Sequence, residues 1–490
     1  MALPALGIAA AWLVAAGEAQ ALARPGRVEG ETVKVVQTTA DLAQRLTRLP
    51  DERFGSRHVR GVQVIRVDDH RRGQRVAGFG AAMTDTAAWL LHDRLAPPER
   101  AAVMRRLFGA RGIGLSFARV PIGASDFTRD GVPYTYADAP PGQSDPTLST
   151  FSVAHDDADI VPMLQQMRAI NGRVNILATP WSPPGWMKSN GSLDNLAGRA
   201  ELLPSAYQPL ADYFVRFLQA YARRGLRIDA ITPANEPGAA TGYPGMNWPA
   251  PRAARWIVSN LAPALRAAKL DTSIYGLDSN WAGRGYARSL TSHPGVAGTI
   301  AGVAWHCYYG NPRAMTAVHV LAPRLRQLVT ECSSGISPGP TAEMLIASLR
   351  NWANGALLWN IALDPRGGPV QSAGCQACTA VVTVDARTGA VGYTRDYYEL
   401  GQASAFIRPG ARRLASNTFV TYNSTALDQG PSYATAGLDN VAFRNRDGSR
   451  VLLVFNNSRR SQRFAVSSRG RSFGHTLASQ ATATFVWDRP

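Results

Sequence analysis

Ile228-Asp-Ala-Ile-Thr-Pro-Ala-Asn-Glu-Pro237 opens as an apolar run of the kind that forms a buried parallel strand, and four residues past Thr232 it reaches a carboxylate. Gln327-Leu-Val-Thr-Glu-Cys332 repeats the arrangement, with Glu331 directly after the run and ninety-five positions beyond Glu236. Runs of the same texture cover Val76–Ala82, Leu115–Pro121, Val174–Thr179, Ser273–Leu277, Val303–Cys307 and Ala356–Ile361. With Ile228–Thr232 and Gln327–Thr330 they make eight. Amphipathic stretches lie between them, at Pro97–Phe108, Asp156–Ile170, Tyr207–Arg224, Pro251–Ala268 and Thr341–Trp352. Strands alternating with helices imply a parallel sheet, and eight such units imply a closed (β/α)8 TIM barrel. No glycine-rich phosphate loop follows the first run, so a nucleotide-binding sheet gains no support.

The texture changes after about residue 410. Val441–Arg444, the turn Arg446-Asp-Gly-Ser449 and Val451–Phe455 read as a hairpin, and Thr482–Trp487 reads as a final strand. These predict a small β-sandwich over residues 411–490, after a catalytic barrel over 76–410. Val33–Val36 and Val62–Val67, within residues 24–75, also read as strands and are expected to complete that sandwich.

Leu3–Ala16 is almost free of polar groups, and Ala21-Leu22-Ala23 has the small-x-small form of a signal-peptidase site. Residues 1–23 therefore read as a secretion signal, although no Lys or Arg precedes the apolar run. The expected location is secreted or periplasmic, with no stable membrane insertion. The net charge is +17, yet only Lys34, Lys188 and Lys269 among the 52 basic residues are lysines. The arginines are scattered, and no nucleic-acid module follows from them. The four cysteines fall between 307 and 378. Cys375-Gln-Ala-Cys378 is open to reading as a redox pair, half a zinc site or a disulfide loop. In a secreted chain disulfides are the default. The expected pairs are then Cys375–Cys378 and Cys307–Cys332, the latter two ending neighbouring strands.

Two acids on the carboxyl rim of a barrel suit hydrolysis of a glycosidic bond, which needs one carboxylic acid and one carboxylate. Sugars present flat apolar faces rimmed by hydroxyls, so they are held by aromatic rings together with carboxylates and amides. Arg119, Asp126, Trp181, Asn235, His306, Tyr308 and Trp359 each end or follow a predicted strand. All seven are candidate substrate-binding residues.

Ordered motifs from about Val33 to the C-terminus then identify a family resemblance. They are Gly78-Phe-Gly-Ala-Ala-Met-Thr-Asp85, Ala118-Arg-Val-Pro-Ile122 with Ser125-Asp-Phe127, and Ala178-Thr-Pro-Trp-Ser-Pro-Pro-Gly-Trp-Met-Lys188. Thr232-Pro-Ala-Asn-Glu-Pro237, Ala304-Trp-His-Cys-Tyr308, Thr330-Glu331, Trp359-Asn360, Asp364–Pro369 and Tyr397–Pro409 follow. The chain resembles glycoside hydrolase family 30, which holds glucosylceramidases and bacterial and fungal relatives. The resemblance implies a retaining mechanism with Glu236 as acid/base and Glu331 as nucleophile. Arg119 and Tyr308 would then partner Glu331, Asn235 would bond the sugar 2-hydroxyl, and Asp126 and Trp181 would bind the far hydroxyls beside a Trp359 platform. No metal or organic cofactor is called for.

One stretch departs from the glucosylceramidase pattern. Where those relatives place a sugar-contacting Asn after Gly368-Pro369, this chain carries Val370–Cys378. The expected substrates are carbohydrates or glycolipids, with a β-glucosidase of glucosylceramidase type placed first. An endo-acting β-1,6-glucanase or β-1,6-galactanase comes second, and a carbohydrate-binding protein without catalysis is a remote third. Nothing in the sequence fixes the oligomeric state.

Overall fold

The computed structural model describes residues 31–56, 61–421 and 435–488. The segment read as a signal, residues 1–23, lies outside them. Strands β1 (Thr32–Thr38), β2 (Thr47–Arg53) and β3 (Gln63–Arg75) precede the barrel. The barrel strands are β4 (Gly78–Ala82), β5 (Phe117–Pro121), β6 (Asn175–Thr179), β7 (Ala230–Ile231), β8 (Ser273–Asn280), β9 (Gly302–His306), β10 (Arg326–Glu331) and β11 (Ala353–Leu358). They pair in parallel and in chain order, and β11 closes on β4. The eight runs read from the sequence are these eight strands.

Burial on both faces explains their unbroken apolar character: every residue of β4, β5 and β9 is buried. Phe117, Leu177, Ala230, Tyr275, Ala304, Leu328 and Leu357, one from each strand but β4, fill a layer inside the barrel. In register beside Phe117 and Leu357 stands Gly80. A Cβ at Gly80 would fall 1.9 Å from the Phe117 carbonyl oxygen, a backbone atom that cannot swing aside. Gly80→Ala is therefore expected to cost about 1–3 kcal/mol through forced separation of β4 and β5. Urea denaturation measures this, and an unchanged midpoint would show that the strands part freely.

The helix starts and stops are local. Thr84 caps the helix Asp85–His92 by accepting the Ala87 N–H at 3.2 Å. Pro97 opens the helix that Gly109 follows. The helix Tyr207–Arg223 turns Leu210, Phe214, Phe217, Leu218 and Tyr221 onto the barrel and its other face to solvent.

A three-stranded sheet of β12 (Ala362–Leu363), β13 (Val382–Val384) and β14 (Val391–Tyr393) sits after the last barrel strand. The remaining strands are β15 (Arg412–Ser416), β16 (Leu438–Arg444), β17 (Arg450–Asn456), β18 (Gln462–Ser468), β19 (Arg471–Leu477) and β20 (Thr482–Trp487). They join β1–β3 in one nine-stranded sheet, ordered β19-β18-β3-β15-β16-β17-β20-β1-β2. The sheet curls over a core that includes Phe54, Phe464, Phe473, Phe485 and Trp487, and the Gly55–Ser472 bridge ties its two ends together. The N-terminal strands thus complete the sandwich, as their sequence suggested. Gln402, on the last barrel helix, donates to Thr38 Oγ1 at 2.9 Å and accepts from Thr484 Oγ1 at 2.6 Å, so the sandwich is pinned to the barrel.

Both expected disulfides are present, Cys307–Cys332 and Cys375–Cys378. Cys307 and Cys332 follow the adjacent parallel strands β9 and β10, with their Cα atoms 5.4 Å apart.

Candidate active site

The carboxyl ends of the barrel strands converge on a pocket of about 200 Å³, walled by Asp126, Trp181, Asn235, Glu236, Tyr308, Glu331 and Trp359 with Tyr243, Tyr309, Ile336 and the second disulfide. Seven of the nine residues singled out from the sequence stand on this wall. The other two, Arg119 and His306, are fully buried behind the glutamates and spend their polar atoms on carboxylates. The sequence counted both among the substrate-binding candidates, but it also paired Arg119 with Glu331, and that pairing is present.

Glu236 and Glu331 bring carboxylate oxygens within 4.8 Å of each other. Glu331 ends β10 and is gripped from two sides: Arg119 Nη1 donates to Oε2, and Tyr308 Oη donates to Oε1 at 2.9 Å. Both bonds fix the orientation of the carboxyl group. Burial and the neighbouring Glu331 charge push the Tyr308 hydroxyl well up, so it remains a donor. Glu236 has a left-handed backbone (φ 42°), and its N–H donates to the Asp278 carbonyl at 2.9 Å. A non-glycine residue held there stores strain that the surrounding structure must support. Asn280 Nδ2 at 3.0 Å and His306 Nδ1 at 2.9 Å both reach Glu236 Oε1, leaving the second oxygen for a proton.

Beneath the glutamates lies a residue that the sequence reading passed over. Asp278 is fully buried and accepts from Arg119 Nη2 at 3.0 Å, from the hydroxyls of Thr179, Thr232 and Thr330 at 3.0, 2.7 and 2.6 Å, and from His306 Nε2 at 3.2 Å. Burial works against its charge, but Arg119 and His306 outweigh it and hold the carboxyl well below the usual range. His306 shows the converse. Burial would expel its proton, yet Glu331, Asp278 and Glu236 overrule it and push the imidazole up to about 10. The floor is thus an alternation of cations and carboxylates, Arg119 and His306 among Asp278, Glu236 and Glu331.

Among the described residues, Glu236, His306 and Glu331 are the cluster whose atoms lie close enough to share a metal ion. A protonated His306 with both nitrogens already engaged has no lone pair to give, so these residues do not fit a metal.

Arg119 also sits under the aromatic wall, its guanidinium carbon 4.7 Å from the Trp181 ring centre and 5.4 Å from that of Trp359. The two indoles stack at 5.1 Å. Asn235 Oδ1 accepts from Arg119 Nη2 at 2.7 Å, which leaves its amide nitrogen for a ligand. Asp126 is buried, and burial pushes its carboxyl up to about 7.

Asn280 and Tyr309 were also missed. Asn280 Oδ1 accepts the N–H groups of Tyr308 and Tyr309 at 3.0 and 3.1 Å, fixing the turn that carries both tyrosines. A positional signal for Asp278 and Asn280 was present, since Asp278 directly follows the run Ser273–Leu277 and Asn280 lies two residues further on, at the strand end.

Known relatives share the chain's sequence and fold. The glycosyl hydrolase family 30 TIM-barrel domain matches residues 76–407, and the β-sandwich domain of that family matches 410–485. The chain is 35% identical to an endo-1,6-β-D-glucanase of Neurospora crassa over 404 residues, covering 80% of this chain and 81% of that protein. It is 30% identical to the lysosomal acid glucosylceramidase of Mus musculus over 460 residues, covering 87% and 84%. Among solved structures an endo-β1,6-glucanase superposes with a TM-score of 0.80 at 27% identity, covering 94% of this chain and all of the other.

Proposed function

The chain belongs to glycosyl hydrolase family 30 and is a glycoside hydrolase, and from that premise we propose that it is a secreted, retaining endo-β-1,6-glucanase. The observation that carries the chemistry is the Glu236–Glu331 pair, within 4.8 Å. A separation near 5 Å suits direct attack by one carboxylate, whereas an interposed water needs about 6.5–9.5 Å.

Glu331, held between Arg119 and Tyr308, is the nucleophile. Its oxygen bonds to the anomeric carbon as the glycosidic C–O bond breaks, and Glu236 gives its proton to the departing oxygen. A water then loses a proton to Glu236 and attacks the glycosyl ester, which frees Glu331 and returns a β-configured sugar. Asn235 offers its amide to the 2-hydroxyl, Asp126 accepts from further hydroxyls, and the Trp181–Trp359 pair supplies the flat apolar surface. Arg119, His306 and Asp278 position the two glutamates.

For the substrate, the 35% and 27% likenesses to endo-1,6-glucanases favour a β-1,6-glucan. This reverses the order expected from sequence, which put glucosylceramide-like substrates first. A second reading retains support from the glucosylceramidase likeness and from exposed Tyr309 and Ile336 at the pocket mouth, which suit an apolar leaving group. Secretion is supported by both disulfides, bonds that persist in oxidising compartments. No helix among the described residues is long and apolar enough to cross a membrane.

Purified protein given β-1,6-glucan, β-1,6-galactan and glucosylceramide side by side is expected to release gluco-oligosaccharides from the first at the highest kcat/KM. Preferential release of glucose from glucosylceramide would overturn the glucanase assignment and leave the hydrolase assignment standing.

A further inference from the structure

Asp126 depends on a loop outside the described reaction machinery. It is buried and faces the pocket, and among the described residues no side chain donates to its carboxylate. The donor another residue gives it is the Cys375 N–H, 3.1 Å from Oδ2, beside its own backbone N–H. Cys375 and Cys378 both line the pocket, and their disulfide closes the turn that aims this N–H.

The loop is docked on two sides. Gln371 donates its N–H to the Asp126 carbonyl at 2.8 Å and its side-chain amide to the Ser125 carbonyl at 2.7 Å. Across the pocket, the Thr379 N–H donates to Ser333 Oγ at 2.8 Å, two residues past Glu331. The Ala377 carbonyl packs so close to Gly335 that a Cβ there would lie 1.9 Å away. The loop therefore spans from the segment after β5 to the segment after β10.

We propose that the Cys375–Cys378 disulfide is a positioning device for the substrate, holding the Cys375 N–H against Asp126 so that this carboxylate stays aimed at the sugar hydroxyls. The inference rests on the glycosidase reading above and adds what sets the sugar-binding wall. A backbone donor favours the charged form of Asp126 against the burial that opposes it. Losing that donor lets Asp126 take up a proton at higher pH and turns an acceptor into a mixed donor and acceptor.

The test compares wild type, Cys375→Ser/Cys378→Ser, Asp126→Asn and the triple variant on the best substrate of the panel above. The disulfide variant is expected to lose about tenfold in kcat/KM, mainly through KM, the worth of a hydrogen bond to a charged group. The acid limb of its pH profile should move to higher pH. The triple variant should be within about twofold of Asp126→Asn alone, because the disulfide acts through Asp126. An unchanged kcat/KM, or a loss that adds in full to that of Asp126→Asn, would overturn the proposal.

If the serine pair does not fold, mild phosphine reduction and alkylation of the folded wild type replaces it. Cys375 is half-buried at the pocket wall beside the buried Cys378, whereas Cys307 and Cys332 are both fully buried at the ends of barrel strands, so the pocket disulfide offers the accessible sulfur. The same kinetic changes are then expected and the same null overturns the idea. A wild type inactive on every β-glycoside would sink the glycosidase reading along with this one. An active wild type indifferent to the disulfide would sink this inference alone.

Discussion

Glu331→Gln is expected to lower kcat by about 10⁴-fold or more, the usual scale for removing a covalent nucleophile. The amide keeps the shape of the side chain and can still meet Tyr308 and Arg119, so the fold should persist. What disappears is the electron pair that attacks the anomeric carbon. Glu331→Gly opens a gap at the same place, and azide entering it should restore part of the rate on an activated aryl β-glycoside. The product would be a glycosyl azide of inverted configuration, because the small nucleophile attacks from the face Glu331 occupied. Near-normal turnover by Glu331→Gln would remove the assignment.

Asp278→Asn should be the most damaging substitution of a residue that touches no substrate. Its charge offsets two buried cations, Arg119 and His306, and breaking such a pair costs about 3–5 kcal/mol. The same residue sets where Arg119 and His306 stand beneath the glutamates, so kcat should also fall about 10²-fold through misplacement. The pH dependence follows from the sign of the shift. The Asp278 carboxyl is held below its unfolded value, so its stabilisation is present above about pH 4 and is lost as pH falls through the folded pKa. The stability gap between wild type and Asp278→Asn should thus be widest near neutrality and narrow below about pH 4. Guanidinium melts at pH 7 and pH 3 measure it. A gap that stayed constant, or widened in acid, would show that the Asp278 charge is not what stabilises the floor.

Strand identity was legible because burial on both faces leaves a predominantly apolar run, and all eight barrel strands fall on such runs. Strand ends were less legible. The run Ser273–Leu277 stops where hydrophobicity stops, but β8 continues to Asn280 through a bulge. Leu277 and Asp278 adopt positive φ there (70° and 60°), a conformation that no composition signal announces. That bulge places Asp278 in the barrel floor, which is why the central carboxylate was passed over. Arg119 meets Glu331 as expected, whereas His306 was placed at the right rim with the sugar rather than the carboxylates as its neighbour. Sequence tells that a residue ends a strand; whether it meets the ligand or the layer below depends on depth. β2 escaped notice because Thr47–Arg53 is a polar edge strand containing Pro50, with no apolar alternation to betray it. The disulfide loop was noticed as a departure, and its bond to Asp126 emerged only from the folded arrangement.

Carboxylate oxygens of Glu236 and Glu331 within 4.8 Å of each other predict a double displacement. NMR of the first sugar released, recorded before mutarotation, reads it without reference to any mutant. A β-anomer from a β-linked substrate is the expected result. An α-anomer would mean single displacement by water, and would contradict the roles given to Glu236 and Glu331.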